Sequence, residues 1–492
     1  MRQLQKGWWL VATQASRVSR AAPRASVCVR RTVLGEDARM TNPWGDTCVT
    51  LLQDLIRQPT VNRGTGGEDD GHEHLCASML ADFVRARGLE PKTMAKVKNR
   101  DNMVVRVRGN GKKAPLLLNA HIDVVEADES RWQRPPFSGD IHGGCVWGRG
   151  AIDMKHMAAM SACVVARLAE EKVPLDRDVI FAAVADEEAG CALGSTYLVD
   201  DHPDEVRAEY MIGEVGAFSL NLFGKVFYPI QVAEKGVVWS RATFRGSPGH
   251  GSMPDPDGAV VRLAEAIVRL GKNRLPMHPH PVVENFVKRL AGALPFPQKQ
   301  ALGRLTTPQI AGLILDYLVK DPDQRRSFGA MLGNTASPTV VRAGNKVNVI
   351  PGRASVEIDG RTMPGQSELA FLAELREVMG PDAEIEVLHA LPAVETDATT
   401  PLYGHLEAML RKHDPFGEPL PYLVVGFTDA KAYSRLGTHC YGFTPLKFDP
   451  TEGLSFQKMY HGHDERVPVE GLKWGAEVLY DTVRSFCEDR GT

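Results

Sequence analysis

The sequence predicts an α/β fold built on a largely parallel sheet, with an α+β unit inserted into it. Two observations carry this. Over residues 41–233 and again over 394–492, apolar runs alternate with helical patterns; between them, over 234–393, half-alternating strands accompany amphipathic helices. A chain of 492 residues has room for two or three domains and a cleft between them.

The strands of the first segment matter most. Leu116-Leu117-Leu118 leads into Asn119-Ala120-His121, Val179 to Val184 leads into Asp186-Glu187-Glu188, and Tyr210-Met211-Ile212 leads into Gly213-Glu214. In open α/β sheets ligands bind beyond the carboxyl ends of the strands, so these polar clusters are expected to converge on one crevice. In the second segment, strands are expected at Val237 to Phe244, Thr339 to Arg342, Ala354 to Ile358 and Glu384 to Leu388, with helices near Ala259 to Leu270 and Glu368 to Val378. The proline-punctuated helical patterns of residues 273–335 read as an elaboration of this second unit. A helix at Leu402 to Leu410, a strand at Tyr422 to Val425 and a helix at Glu470 to Phe486 then resume the first style.

Charge and composition narrow the function. A net charge of -3 and a pI near 6.6 offer no broad basic surface, which excludes phosphate-backbone binding as the main activity. No apolar stretch is long enough for a membrane span. The eight cysteines lack CxxC or framework spacing and read as free thiols, which points to a reducing compartment and a cytoplasmic protein. Residues 1–40 carry eight Lys or Arg against two acidic residues without amphipathic rhythm. They are expected to be a disordered extension, an organellar transit peptide, or sequence ahead of a working start at Met40.

Several motifs can carry chemistry. His121-Ile122-Asp123 places two polar side chains on one face of an extended segment, so the imidazole could bind metal while Asp123 orients it. Asp153, in Gly148-Arg149-Gly150-Ala151-Ile152-Asp153-Met154-Lys155, stands before a helix, either as its cap or as a carboxylate bridging two cations. Asp186-Glu187-Glu188 sets three acids side by side, which repel unless cations compensate. Glu187 and Glu188 can diverge into a base and a ligand. Glu214 has the same setting, and His461-Gly462-His463-Asp464-Glu465 offers two rival imidazoles. Two His and three carboxylate ligands with a spare Glu suit a pair of Zn²⁺ ions, and Glu187 would carry the proton from water to the leaving amine.

These segments resemble the M20 metallopeptidases, a family that includes aminoacylase, acetylornithine deacetylase, succinyl-diaminopimelate desuccinylase, carboxypeptidases and dipeptidases. The similarity also covers Gly246-Ser247-Pro248-Gly249-His250-Gly251, Asn348-Val349-Ile350-Pro351, Asp359-Gly360-Arg361 and Thr428-Asp429-Ala430, all in the family's order. The resemblance implies a dinuclear zinc-peptidase catalytic domain, with Co²⁺ or Mn²⁺ as substitutes for Zn²⁺. Its metal ligands would be His121, Asp153 as bridge, Glu188, Glu214 and His461, with Glu187 as base and Asp123 behind His121. It further implies a lid domain over residues 234–393 that pairs into a homodimer, where His250 reaches the partner's active site.

A peptide or N-acyl amide in a small substrate with a free carboxylate is the expected target, held by Arg361 and Asn348. Arg361 has the alternative of pairing with Asp359. Lys431 stands where the family usually has Arg, which is expected to alter contacts at the substrate end, because Lys lacks the bidentate grip of Arg. The alternative function is a ligand-binding or scaffold relative without catalysis. That reading predicts a missing ligand or base, and none is missing.

Overall fold

Leu116–His121, Val179–Val184 and Tyr210–Gly213 are buried along their whole length and lie side by side in parallel at the centre of a ten-stranded sheet. This computed structural model describes residues 43–222, 224–319, 322–449, 454 and 459–489; the extension expected over residues 1–40 lies outside the described residues. His439–Gly442 adds a fourth parallel strand beside Tyr210–Gly213. Towards one edge, Asp101–Val107 and Lys92–Ala95 follow antiparallel. Towards the other, Lys225–Glu234 pairs antiparallel with His439–Gly442 and parallel with Gly417–Val424.

Continuous apolar runs suit the central strands because helices cover both faces. Leu116, Leu118, Phe181 and Ile212 join a core with residues of the helices Pro43–Ile56, Lys155–Glu170 and Val469–Cys487. Leu117, Ile180 and Met211 join a second core with Leu198, Ala430 and Tyr433 on the opposite side. Alternate side chains of one strand thus fill different layers, as the pleat requires.

At Lys235 the chain leaves the large sheet for a smaller antiparallel one. Its strand order is Thr335–Ala343, Arg353–Thr362, Gly236–Arg245, Glu384–Leu391. The helices Ala259–Lys272 and Glu368–Met379 supply Leu263, Leu270, Phe371 and Leu375 to a core with Val238, Phe244, Val356 and Ile358.

One expectation is corrected. The helices Pro281–Gly292, Gln298–Leu302, Pro308–Leu318 and Pro322–Met331 do not elaborate the small unit; their buried residues, among them Phe286, Leu290, Leu302 and Leu315, belong to the core of the large sheet. Phe286 meets Tyr422 with ring centroids 5.8 Å apart, and Arg289 donates to Glu407 at 2.5 Å and to the Pro419 carbonyl at 3.1 Å. Periodicity marks the apolar face of such a helix but not the surface that receives it.

Candidate metal centre

The carboxyl ends of the parallel strands set the first groups. His121 is the last residue of its strand, fully buried, with Nε2 3.1 Å from Asp153 and 3.6 Å from Glu214, the residue that follows Gly213. After Val184 the backbone turns through Asp186 at φ +65°, a left-handed conformation that Asp tolerates better than most residues. A short 3₁₀ turn, Glu187–Ala189, follows and carries the two glutamates.

Asp153 joins two halves. One oxygen faces His121 at 3.1 Å and the other faces His461 Nε2 at 3.0 Å, while His461 also lies 3.1 Å from Glu188. Two sets of candidate metal-binding groups result: His121, Asp153 and Glu214, and Asp153, Glu188 and His461, the chosen atoms of each set lying within 4.8 Å of one another. The cap role considered for Asp153 is absent, since Met154 precedes the helix and no side-chain cap bond forms there. Of the two rival imidazoles, His461 meets the carboxylates; its ring stacks on Tyr460 at 4.6 Å.

With only protein charges present, burial and then the neighbouring Glu214 carboxylate push Glu187 well above the ordinary range. Burial likewise raises Glu214 to about 7 and lifts Glu188. Burial opposes a charge on His461, but Asp153 and Glu188 outweigh it and hold the imidazole at about 10. Burial also opposes charge on Asp153, yet hydrogen bonds from His121 and His461 pull its carboxyl well below the usual value. Glu188 Oε1 and Glu214 Oε1 are buried without a hydrogen-bond partner. Buried carboxylate oxygens that no protein donor satisfies are costly, and a cation between them removes that cost, so this set of two imidazoles and three carboxylates fits a pair of divalent ions.

The supporting groups are as specific. Asp123 accepts the backbone N–H of Glu187 at 3.2 Å and of Glu188 at 3.1 Å, and the side-chain amide of Asn62 at 2.8 Å. Its Oδ1 lies 3.4 Å from His121 Nδ1. Glu465, paired with Arg149 at 2.8 Å, accepts the backbone N–H groups of Ile152 and Asp153. Asp186 accepts from Asn62 and from Arg100, which is itself forked onto Glu73. Asp429 accepts from Asn119 at 2.7 Å and Ser195 at 2.5 Å. Asn62, Glu73, Arg100 and Ser195 stand in no motif and gave no signal in sequence; only their contacts reveal them.

Thus His121, Asp123, Asp153, Glu187, Glu188, Glu214 and His461 come together. His250, Asn348 and Arg361 make no hydrogen bond or ion pair with this cluster. His250 is exposed on a two-residue ribbon, Gly249–His250 against Val349–Ile350, and Asn348 is exposed beside it. His250 Nδ1 lies 2.8 Å from the Ser252 hydroxyl and 3.3 Å from the Ser252 N–H. Arg361 pairs with Asp359 at 2.7 and 3.1 Å, the alternative read from the sequence, yet its Nη1 is buried without a partner. Lys431 is buried among protein acceptors. Its ammonium lies 3.1 Å from Glu234 and donates to the carbonyls of Lys235 and Pro392, so it ties together the two chain crossings between the sheets.

Comparison with known proteins agrees with this arrangement. The pattern of peptidase family M20/M25/M40 matches residues 117–485. The chain is 27% identical over 395 residues to the bovine (Bos taurus) N-fatty-acyl-amino acid synthase/hydrolase PM20D1, covering 77% of this chain and 75% of that protein. It is 26% identical over 395 residues to a probable carboxypeptidase S-like 2 of Dictyostelium discoideum, covering 75% and 71%. Among solved structures, an M20 family metallo-carboxypeptidase from Sulfolobus solfataricus superposes with a TM-score of 0.66 at 17% identity, covering 89% of this chain and 98% of that one. Human carnosine dipeptidase 1 gives 0.61 at 13% identity, covering 89% and 95%. These likenesses to solved structures concern the fold.

Proposed function

The chain belongs to peptidase family M20/M25/M40, metal-dependent hydrolases of C–N bonds in small substrates, and on that premise we propose that it uses two Zn²⁺ ions to cleave a peptide or N-acyl amide bond next to a free carboxylate. The observation that carries the reading is Asp153, whose two oxygens face His121 and His461 and so belong to both candidate ligand sets. His121 and Glu214 would hold one ion, Glu188 and His461 the other, and Asp153 both. Bound there, two such ions polarise a scissile carbonyl and make water acidic enough to lose a proton near neutral pH.

The protein's own groups then divide the work. Glu187 accepts the proton of the attacking water and returns it to the leaving amine, while its backbone is fixed by Asp123. Arg361 Nη1 supports a role in holding the substrate's carboxylate, with its fork already oriented by Asp359.

The small sheet supports a homodimer. Thr335–Ala343 is an edge strand with Val340 and Val341 exposed, and Val260, Val261 and Val268 are exposed on the helix Ala259–Lys272. In such a pair the imidazole of His250 would serve as donor to the oxyanion in the partner's site.

The test is metal analysis of protein purified without chelator, followed by a panel of N-acyl amino acids and dipeptides assayed with Zn²⁺ or Co²⁺. Two equivalents of metal and turnover of a substrate with a free carboxylate are expected. Trace metal with turnover that survives prolonged chelation would overturn the proposal.

A further inference from the structure

Every strand of the small sheet joins the large unit at one row. Across the four strands the row reads Leu391, Val237, Arg361 and Thr335, each paired with its neighbour. Leu391 directly precedes the crossing at Pro392, and Val237 stands two residues after the crossing at Lys235. Thr335 stands two residues after Gly333, where the chain returns from the helix Pro322–Met331. Met363, two residues after Arg361, is buried in the core of the large sheet.

The row is pinned. Lys431 Nζ donates to the carbonyls of Lys235 and Pro392, 2.8 Å each, and so clamps two crossings with one ammonium. Its partner Glu234, fully buried, also accepts from Thr428 at 2.6 Å and from Gln231 at 3.1 Å. Lys235 Nζ donates to the Gly333 carbonyl at 2.6 Å, which fastens the third crossing to the first. A Cβ on Gly236 would lie 2.3 Å from Thr362 Oγ1 and 2.9 Å from the Leu391 carbonyl oxygen, so the strands close up here without space for a side chain. A rotation of the small sheet turns about its crossings, and Arg361 beside that axis moves far less than the distal ends at Arg245 and Ala343.

Residues 427–431 link this row to the metal centre. The Phe427 ring centre lies 5.6 Å from the guanidinium carbon of Arg361. Thr428 and Lys431 hold the crossings, and between them Asp429 accepts from Asn119, two residues before His121 on the same strand. One short segment thus touches the arginine, the crossings and the strand that ends in a candidate metal ligand.

We propose that Arg361 and residues 427–431 form a ruler that fixes the number of bonds between the substrate's carboxylate and its scissile amide. This rests on the hydrolytic reading, with Arg361 Nη1 as the carboxylate's anchor. Each methylene inserted between the two groups displaces the carboxylate by about 1 Å or more. A swinging anchor follows that displacement, whereas a pinned one does not. A misplacement of about 1 Å at a reacting centre costs about 10²-fold in rate.

Kinetics of one homologous series test it: N-acyl glycine, N-acyl β-alanine and N-acyl γ-aminobutyrate, with the acyl group that the metal-loaded wild type turns over fastest. In the wild type one homologue should exceed the next by about 10²-fold in kcat/KM, and Lys431→Met should lower that ratio by at least about tenfold with both metals retained. In the same variant the backbone amides of residues 233–237 and 390–394 should exchange hydrogen faster. Phe427→Ala leaves the hydrogen bonds of the crossings in place, so it should lower the ratio without faster exchange, and it decides the matter if Lys431→Met does not fold. Comparable turnover of all three homologues by the wild type, or an unchanged ratio in either folded variant, would overturn the ruler and leave the hydrolytic reading standing. Turnover of no carboxylate substrate would overturn that reading and the ruler with it.

Discussion

Glu465 accepts the backbone N–H of Asp153 at 3.1 Å, so the residue shared by both candidate metal positions is held by a carboxylate 312 positions along the chain. The same carboxylate binds the Ile152 N–H at 2.7 Å and neutralises the buried Arg149. Glu465→Gln keeps the size but loses the charge that draws in all three donors. Metal affinity should fall by about 10- to 100-fold, as when other groups behind metal ligands are changed. Competition with a chromogenic chelator measures it, and wild-type affinity in the variant would show that Asp153 is held by other means.

Glu187 and Glu188 are separated by a similar argument. Glu188 lies 3.1 Å from His461, whereas the nearest imidazole to Glu187 is His121 at 3.9 Å, so Glu187→Gln should keep both metals while losing turnover by about 10² to 10⁴. Metal content and kcat are measured on the same sample. Loss of metal would mean that the two glutamates have exchanged roles.

His250 tests the dimer. His250→Ala should lower turnover by about 10² to 10³ without loss of metal, the usual cost of removing an oxyanion donor. Mixed with Glu187→Gln under conditions that exchange subunits, it should restore activity towards a quarter of wild type. Half of the dimers would be mixed, each with one site that has both an intact base and an intact donor. A mixture as inactive as its parents, with mixed dimers shown to form, would place His250 outside the partner's site.

Lys235 makes stability depend on pH. Burial, helped by the charge of Arg361, lowers its ammonium to about 7. Between that value and the ordinary lysine value the unfolded chain binds a proton that the folded chain does not, so its contribution to stability rises with pH across this window. Lys235→Met removes the effect. The Tm of the variant relative to wild type should therefore be most favourable near pH 7 and decline towards pH 10, whereas a constant difference would mean that Lys235 stays charged in the fold.

Much of the site was legible because chemistry sits at strand ends. The apolar runs before His121, Asp186 and Gly213 mark buried parallel strands, and a polar residue that ends such a run must lie at the rim of the sheet. The sequence by itself therefore determined the fold class, the change of style at the small sheet and, through its ordered motifs, the family. Tertiary structure decided what depends on which surfaces meet. It turned Lys431 onto the crossings between the sheets and seated the helix of Phe286 on Tyr422 of the large sheet. It also brought Asn62 between Asp123 and Asp186, although the three are far apart in the chain. Periodicity records that a face is buried and composition records that a group is polar, but neither records the partner, because partners are chosen by packing and hydrogen-bond geometry across segments distant in sequence.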